Sequence, residues 1–495
     1  MDIKKSSGLI FHPTSLPSKY GIGDFGKDSY EFIDLLSSTG TKVWQVLPLG
    51  ITDNVEYSPY SSKSSILGNP YIVSLENLEN GLFKKEDFEL FRNLPKDYVD
   101  FASVYKLKDD LFKKLEKKIN IKEKIYQDFL EDDEIRKHIT FITISEVTNK
   151  NWNLWKNDYK NYSENLFELI NYRFSNIVSK HIFLQYEFNK QWKSLKNYAN
   201  KKNISVLGDI PIYVNHNSAD VWLNKDLFDL DEEYNMSFVS GAVPDEFTEE
   251  GQVWNTALYD WDEHLNQNYQ YWVNKLNKNL EKYDLLRIDH FVGFFKYWAI
   301  PNGESALNGH WRDGPWKTFF DSIRTKVDFS MLLAEDLGVV LKDTETILKN
   351  YNIPGMNVLQ QRIPNNDQHE ETHPGEWNKN LASYTGTHDS PTIKQWLNEA
   401  EKTQIKYYKN YLNDFNISSD SEIWNFIELT WKTPCILTVT NVQDILELDV
   451  EARFNLPGTK KGNWKWRVNS LDTLHEGFGR LKKLNEETNR FNILT

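Results

Sequence analysis

Charged side chains end several short apolar runs in this chain, where an ordinary core strand would carry none. They are Asp209, Arg287, Asp289, Glu335, His388 and Asp389. Facing carboxylates suit glycosidic chemistry, because an ionised one can attack the sugar carbon while a protonated one donates to the leaving oxygen. These residue types therefore point to acid–base and nucleophilic chemistry on a sugar, provided that the fold gathers them.

The pair Arg287 and Asp289 lies in residues 285–290, an apolar run that we interpret as a strand. Because side chains alternate along a strand, both residues share one face, while Leu286 and Ile288 take the other. A guanidinium beside a carboxylate favours the ionised acid that a nucleophile needs. From these residues alone, a purely structural ion pair is the alternative.

The elements that carry these residues alternate between strand and helix. Eight candidate strands start near residues 7, 41, 204, 285, 330, 355, 381 and 436. Such alternation predicts an α/β fold, and eight strands favour a closed (β/α)8 TIM barrel over an open sheet. Active sites of these barrels lie at the C-terminal strand ends, where the six charged residues fall. We expect residues 1–495 to form a single catalytic barrel.

Three segments interrupt the alternation. Residues 50–80 are polar and rich in turn residues, which predicts a loop insertion near the active site. Residues 82–202 are rich in Lys, Glu and Asn with helical periodicity, which predicts a mainly helical insertion. Residues 215–262 lack strong periodicity and are predicted to form a lid or loop insertion. Within the last segment, the acidic stretch 241–254 ends in Trp254.

Composition excludes several classes of function. The net charge of −14 argues against a nucleic-acid partner, and no run of eighteen apolar residues predicts a membrane span. The first residues lack an apolar signal-peptide core, and the single cysteine, Cys435, favours a reducing cytoplasm. The histidines lack paired ligand spacing and no phosphate-cradling glycine loop precedes a helix, so we expect neither metal nor cofactor. The 17 Trp, 25 Tyr and 28 Phe favour a carbohydrate ligand.

Three motifs carry a specific resemblance. Arg287-Ile-Asp289-His, Ala334-Glu335-Asp-Leu-Gly and Thr385-Gly-Thr-His-Asp389 resemble the catalytic motifs of the amylomaltases, the 4-α-glucanotransferases of glycoside hydrolase family 77, relatives of the α-amylase barrels. Further similar motifs run from His12-Pro-Thr-Ser-Leu-Pro17 to Asn455-Leu-Pro-Gly-Thr459. The resemblance therefore spans the chain, and only the helical insertion lacks a recognisable motif.

The resemblance implies a role for each acid. Asp289 would be the nucleophile that forms a β-linked glycosyl ester, and Glu335 the general acid and then base. Asp389 would hold the 2- and 3-hydroxyls of the distorted sugar. The charges agree with these roles, because Arg287 favours anionic Asp289 while Glu335, beside other acids, should have a raised pKa.

The remaining candidates would bind substrate. His388 would donate to sugar hydroxyls, and Tyr60 and Trp254 would stack on glucose rings; Arg287 completes the set. Asp209 is assigned to the same group, although a structural hydrogen-bond role at the barrel rim fits it nearly as well. The expected partners are maltooligosaccharides and α-1,4-glucans; the oligomeric state stays open.

The implied activity is transfer of a 1,4-α-D-glucan segment to the 4-hydroxyl of another glucan or of glucose, by retaining double displacement. A retaining α-glucan hydrolase of the α-amylase type is the alternative, since it would share the three acids. A silent glucan-binding protein is disfavoured by those acids. The chain departs from the family pattern at Ser390-Pro391, at Asn255-Thr-Ala257 and at Gln361-Arg-Ile-Pro364, which leaves donor and acceptor preferences open.

Overall fold

A parallel sheet of eight strands forms the centre of the molecule. The computed structural model describes residues 5–78, 81–244, 250–338, 342–366 and 372–491. The eight strands are β1 (Ser6–Ile10), β2 (Val43–Gln45), β3 (Ser205–Pro211), β4 (Leu285–Asp289), β5 (Leu332–Ala334), β6 (Gly355–Val358), β7 (Leu381–Tyr384) and β8 (Leu437–Asn441).

The sheet closes on itself. Its strands run in the order β5-β4-β3-β2-β1-β8-β7-β6, and every neighbouring pair is parallel. The two ends of this order meet where the Ala334 amide donates to the Pro354 carbonyl over 2.8 Å. The predicted (β/α)8 barrel is confirmed, and each predicted strand start lies within a few residues of an observed one.

One apolar cluster fills the barrel interior and draws residues from all eight strands. Leu207, Leu285 and Leu333 belong to this cluster, whereas Leu286 and Ile288 pack in the larger cluster outside the barrel. Because strand side chains alternate, the residue two positions beyond each interior leucine also faces inward. Those residues are Asp209, Arg287 and Glu335, so the apolar interior gives way to charge at the C-terminal rim.

Helices surround the barrel, and several of them bury an apolar stripe. In Lys27–Ser38, for example, Phe32, Ile33 and Leu36 are buried at helical spacing. The other α-helices are Phe101–Leu115, Lys124–Phe129, Asp133–Thr148, Glu164–Arg173, Ser175–Lys201, Ala219–Leu223, Trp261–Asn266, Gln270–Lys282, Trp316–Ile323, Lys342–Tyr351, Leu359–Arg362, Ile393–Glu399, Lys402–Asp414, Glu422–Lys432, Val442–Ile445 and His475–Glu487. Short 3₁₀ helices are Pro13–Ser15, Pro70–Ile72, Leu75–Asn77, Lys85–Asn93, Trp152–Leu154, Asn157–Tyr159, Lys225–Leu227, Phe291–Phe294, Ala306–Asn308, Phe329–Met331, Pro374–Glu376, Val450–Ala452 and Leu471–Leu474. Across the described ranges, no helix is long and apolar enough to cross a membrane.

A second, antiparallel sheet lies beside the barrel and was not predicted. Its five strands, in spatial order, are Val214–Asn215, Gln252–Ala257, Phe238–Ala242, Lys296–Pro301 and His310–Asp313. Two of them, Phe238–Ala242 and Gln252–Ala257, fall in residues 215–262, where the sequence predicts only irregular structure, and Val214–Asn215 lies at the start of that segment. The pairing is non-local, with Ser240 opposite Ala299, so local periodicity carries little trace of it. Residues 245–249 of the predicted lid lie outside the described residues.

A local break also departs from the sequence prediction. The sequence alone predicts one continuous helix over about residues 264–282. The chain instead forms two helices, Trp261–Asn266 and Gln270–Lys282. Between them, Asn268 and Tyr269 have φ angles of 51° and 54°. This left-handed backbone ends one helix and redirects the next, and Asn is among the residues that adopt it most readily.

Candidate active site

The C-terminal end of β4 brings one arginine against two acids. The register of β3 and β4 sets Asp209 opposite Arg287 and Pro211 opposite Asp289. Arg287 Nη1 lies 2.6 Å from Asp209 Oδ2 and 3.0 Å from Asp289 Oδ1. The side chains of Asp209 and Arg287 are 0% and 3% exposed, whereas that of Asp289 is 28% exposed. Of these three groups, only Asp289 therefore presents substantial surface to the barrel mouth.

Glu335 joins this group from the neighbouring strand. Ala334 of β5 pairs with Ile288 of β4, and the Glu335 amide donates to the Ile288 carbonyl over 3.1 Å. The Glu335 carboxylate accepts a 2.6 Å hydrogen bond at Oε2 from the amide of His290. His290, with φ of 50°, turns the chain directly after Asp289. The carboxylate of Glu335 is thus held by the residue next to Asp289, on the same rim.

Burial and neighbouring charges shift the pKa values of Glu335, Asp209 and Arg287. It raises the pKa of Glu335 well above its ordinary range, opposed by the charge of Arg287 and reinforced by that of Asp289. Burial also raises the pKa of Asp209 to about 7, against the pull of Arg287. For Arg287, burial acts to lower the pKa, but the charges of Asp209 and Asp289 outweigh it and hold the guanidinium cationic. The raised pKa of Glu335 favours its protonated form, beside an Asp289 that is paired with a fixed cation.

The loop after β7 brings the third acid to the mouth. His388 Nε2 lies 3.4 Å from Asp389 Oδ2, and Asn455 Nδ2 donates to Asp389 Oδ1 over 2.6 Å. Arg453, two residues before Asn455, donates from Nη2 to the Asp389 carbonyl over 2.9 Å. Burial lowers the pKa of His388, so its imidazole is neutral at neutral pH. Asp389 is therefore oriented by partners from a distant part of the chain.

Tyr60 connects the two sides of the mouth. Its hydroxyl donates to Asp209 Oδ2 over 2.8 Å, and its ring stacks on His388 with centroids 5.1 Å apart and planes 13° apart. Burial raises the pKa of Tyr60 well above its ordinary value, so the hydroxyl stays protonated and donates. The loop that contains Tyr60 thus packs against groups from β3 and from the segment after β7.

Trp254 reaches the site from the second sheet. Its ring meets His290 edge-on at 4.8 Å and lies 6.2 Å from the ring of Tyr213. Trp254 is half-buried, which leaves part of the indole accessible. His290 directly follows Asp289, so this contact fixes one edge of the second sheet beside the acids.

The structure brings all eight predicted site residues into one connected group around the mouth. Asn455, Arg453 and His290 belong to the same group and were not predicted as site residues. Asn455 and His290 lie inside motifs that resemble the family, and this was the one feature of the sequence that could have marked them as site residues. Nothing in the sequence indicated that they touch Asp389 and Glu335.

Comparison with known proteins identifies the family. The 4-alpha-glucanotransferase family, glycoside hydrolase family 77, matches residues 11–473. The chain belongs to this family. It is 37% identical over 471 residues to the 4-alpha-glucanotransferase of Clostridium butyricum, covering 92% of this chain and 95% of that protein. It is 35% identical over 483 residues to that of Aquifex aeolicus, covering 97% and 98%.

A solved structure of an amylomaltase supports the same assignment, and a second one matches the fold. The amylomaltase of Streptococcus agalactiae, solved in complex with acarbose, aligns with a TM-score of 0.92 at 31% identity, covering 99% of this chain and 100% of that one. The amylomaltase of Corynebacterium glutamicum aligns with a TM-score of 0.78 at 18% identity over 99% of this chain and 75% of that one. At 18% identity, the alignment with the Corynebacterium glutamicum structure shows only that the fold is the same.

Proposed function

We propose that this 4-alpha-glucanotransferase moves 1,4-α-D-glucan segments by retaining double displacement, with Asp289 as nucleophile and Glu335 as general acid and base. The observation that carries the proposal is the link between the two acids: Glu335 Oε2 accepts from the amide of the residue after Asp289. Retaining enzymes need their carboxyl groups about 5–5.5 Å apart. Side chains from adjacent strands spaced by about 4.8 Å suit that separation.

In the first step, an Asp289 oxygen attacks the anomeric carbon and the bond from that carbon to the leaving 4-oxygen breaks. Protonated Glu335 donates its proton to the leaving oxygen and becomes a carboxylate. Arg287 occupies Asp289 Oδ1 at 3.0 Å, which leaves Oδ2 for the attack. The product of this step is a β-linked glycosyl ester and a shortened glucan.

In the second step, ionised Glu335 removes the proton from the 4-hydroxyl of an acceptor, whose oxygen displaces Asp289 from the sugar. Two inversions restore the α-configuration. The nucleophile that reaches the ester decides between the two candidate activities, because water gives hydrolysis and a sugar gives transfer. The half-buried Trp254 ring would hold an acceptor by stacking, which favours the sugar through positioning.

The surrounding residues have supporting roles in this proposal. Asp389 binds the 2- and 3-hydroxyls, His388 donates to sugar hydroxyls, and Tyr60 lines the mouth beside them. Asp209 has no exposed side-chain surface, so it acts by holding Arg287 and Tyr60. The Streptococcus agalactiae relative was solved in complex with acarbose, which supports a carbohydrate ligand for this chain.

The test is product analysis with maltotriose. Transfer yields glucose together with longer oligomers at a constant number of reducing ends. New reducing ends without elongation would instead support the hydrolase alternative, which the names of the relatives do not favour. Asp289→Ala removes the attacking group and is expected to lose several orders of magnitude in rate.

Biological context is part of the same proposal. We place the enzyme in maltodextrin, starch or glycogen metabolism because those pathways supply α-1,4-glucans. The single cysteine favours a reducing compartment such as the cytoplasm. The division into one barrel with insertions at residues 50–80, 82–202 and 215–262 is likewise proposed.

A further inference from the structure

The loop that carries Asp389 is held at its start by the last residue of β8. This loop, residues 385–392, follows β7, and we call it the Asp389 loop. Asn441 Nδ2 donates to the Gly386 carbonyl over 3.0 Å and to the Thr387 carbonyl over 3.4 Å. Asn441 is buried, so water cannot readily replace these bonds. The start of the loop is therefore fixed to the strand that pairs with β7.

A buried carboxylate holds the end of the loop. Ile393 begins the helix that follows, and its amide, which has no partner within that helix, donates to Asp444 Oδ1 over 2.7 Å. Asp444 Oδ2 lies 3.5 Å from Thr385 Oγ1, at the start of the same loop. Burial raises the pKa of Asp444 to about 6, opposed by the bond from Ile393, so the carboxylate is ionised at neutral pH. Asp444 therefore contacts both ends of the loop.

The loop is also packed closely on itself. The Thr387 amide donates to Ser390 Oγ over 3.0 Å, and a Cβ atom at Gly386 would lie only 2.9 Å from Ser390 Cβ. Gln360 Nε2 donates to the Pro391 carbonyl over 3.1 Å. Because a closely packed loop transmits strain, a shift at either end should reach its middle.

The middle of the loop is bonded to the same part of the chain as its ends. The Asn455 amide donates to the His388 carbonyl over 3.2 Å, and the Asn455 side chain donates to Asp389. Gln443 Nε2 donates to the Ala452 carbonyl over 3.4 Å, which links the two parts of this segment. One segment of the chain therefore contacts the loop at its start, middle and end.

We propose that Asn441 and Asp444 are positioning residues for the reaction, which fix the Asp389 carboxylate in the mouth by holding the start and the end of its loop. The proposal rests on the role proposed for Asp389, which is to hold the 2- and 3-hydroxyls of the distorted sugar. A misplacement of about 1 Å can cost about a hundredfold in rate. Because the distorted sugar belongs to the transition state, loss of either anchor should lower kcat more than it raises KM.

Three variants and one control test the anchors. Asp444→Ala removes both acceptor oxygens, Asp444→Asn keeps one oxygen for the Ile393 amide, and Asn441→Ala frees the start of the loop. The matched control is Asp284→Ala, because Asp284 Oδ2 also accepts from a backbone amide, that of Val206, over 2.8 Å. Asp284 directly precedes β4, at the opposite end of the barrel from the mouth.

Asp444→Ala is expected to lower kcat for maltotriose by about ten- to hundredfold, with KM within about threefold of wild type. Asn441→Ala should lower kcat in the same way. Asp444→Asn should keep kcat within about fivefold of wild type, since it retains an acceptor for the Ile393 amide. Asp284→Ala should lower the urea midpoint of unfolding but keep kcat within about twofold, which separates lost stability from lost positioning.

A double-mutant cycle determines whether the effect passes through Asp389. In the Asp389→Asn enzyme, adding Asp444→Ala should lower kcat by no more than about threefold, because the group that the anchor positions has already lost its charge. An equal loss in the wild-type and Asp389→Asn backgrounds would overturn the proposal, and so would wild-type kcat in Asp444→Ala.

The same cycle separates this proposal from the proposed function. If Asp444→Ala shows no cooperative urea transition, Asn441→Ala takes its place in the cycle, with the same expected and contrary results. Absence of elongated products from wild-type enzyme and maltotriose, or wild-type kcat in Asp389→Asn, would instead overturn the proposed transferase function or the role of Asp389 within it.

Discussion

The hydrogen bond from Asn455 to Asp389 allows a quantitative test of how the third acid is positioned. Asn455 Nδ2 donates to Asp389 Oδ1 over 2.6 Å, a short distance for a bond to a charged acceptor. Hydrogen bonds to charged groups contribute about 1.5–3 kcal/mol of free energy. The Asp389 side chain is 42% exposed, so water replaces part of a lost bond and the lower end applies.

Asn455→Ala is therefore expected to lower kcat/KM for maltotriose about tenfold, since about 1.4 kcal/mol corresponds to a factor of ten. Asn455→Asp keeps the size of the side chain but sets a second carboxylate against Asp389. This variant should be slower than Asn455→Ala, although it is the closer match in shape. The assay is the initial rate of glucose release from maltotriose.

The control for this prediction is Asn463→Ala. Asn463 holds the same loop by accepting from the Leu456 amide over 3.1 Å and by donating to the Thr459 carbonyl, without touching Asp389. The activity of the Asn463→Ala enzyme should stay within about twofold of wild type. If Asn455→Ala matched the wild type, or if Asn455→Asp were as fast as Asn455→Ala, the positioning role of Asn455 would be refuted.

Three further predictions address charge and metal. Burial holds the pKa of Glu335 above its ordinary range, and its proposed role as proton donor requires the protonated acid, so kcat/KM should fall as pH rises through that pKa; a pH–rate profile of Glu335→Gln should lack this alkaline limb. Arg287→Leu should lower the free energy of unfolding, measured in urea, by about 3 kcal/mol. This is the low end for a broken buried ion pair, because the remaining Asp209 can take up a proton. An unchanged urea midpoint of unfolding would contradict this. The proposed double displacement uses only the carboxyl groups of Asp289 and Glu335, so activity should survive EDTA; loss of activity that returns with a divalent ion would count against this.

The barrel and its acids were predictable because both follow from local periodicity and general topology. Leu285, Arg287 and Asp289 alternate along one strand, and the chain order of strands in a (β/α)8 barrel sets Glu335 on the neighbour of β4. Adjacency of Asp289 and Glu335 therefore needed no distance information. The same reasoning assigned Asp389 to the rim, because it follows another strand.

The partners of these acids were not predictable, since they come from elsewhere in the chain. Asn455 reaches Asp389 from 66 residues away, and Tyr60 reaches Asp209 from 149 residues away. Periodicity describes which face a side chain takes, but it contains nothing about which loop covers that face. The antiparallel sheet was missed for the same reason, because Ser240 finds its partner strand only at Ala299.

The buried pair of Asp209 and Arg287 should make the stability of the folded state depend on pH. Asp209 lies with Arg287 below the mouth, and a buried ion pair adds little net stability. Burial raises the pKa of Asp209 to about 7, whereas a free Asp in an unfolded chain titrates near about 3.9. Between these values the folded chain binds a proton that the unfolded chain has released, so this group lowers the stability of the folded state as pH rises.

Asp209→Asn removes that titration and keeps the shape of the side chain. The free energy of unfolding of the variant, relative to wild type, should therefore increase steadily from pH 4 to pH 7, as measured in urea at each pH. Its rate should fall mainly above pH 7, where Asp209 of the wild type is ionised and shares Arg287 with Asp289. In the variant, Arg287 would bind Asp289 more tightly there, which weakens the proposed nucleophile. A constant or shrinking stability difference would mean that Arg287 keeps Asp209 ionised throughout this range, and the burial argument for the pair would fail.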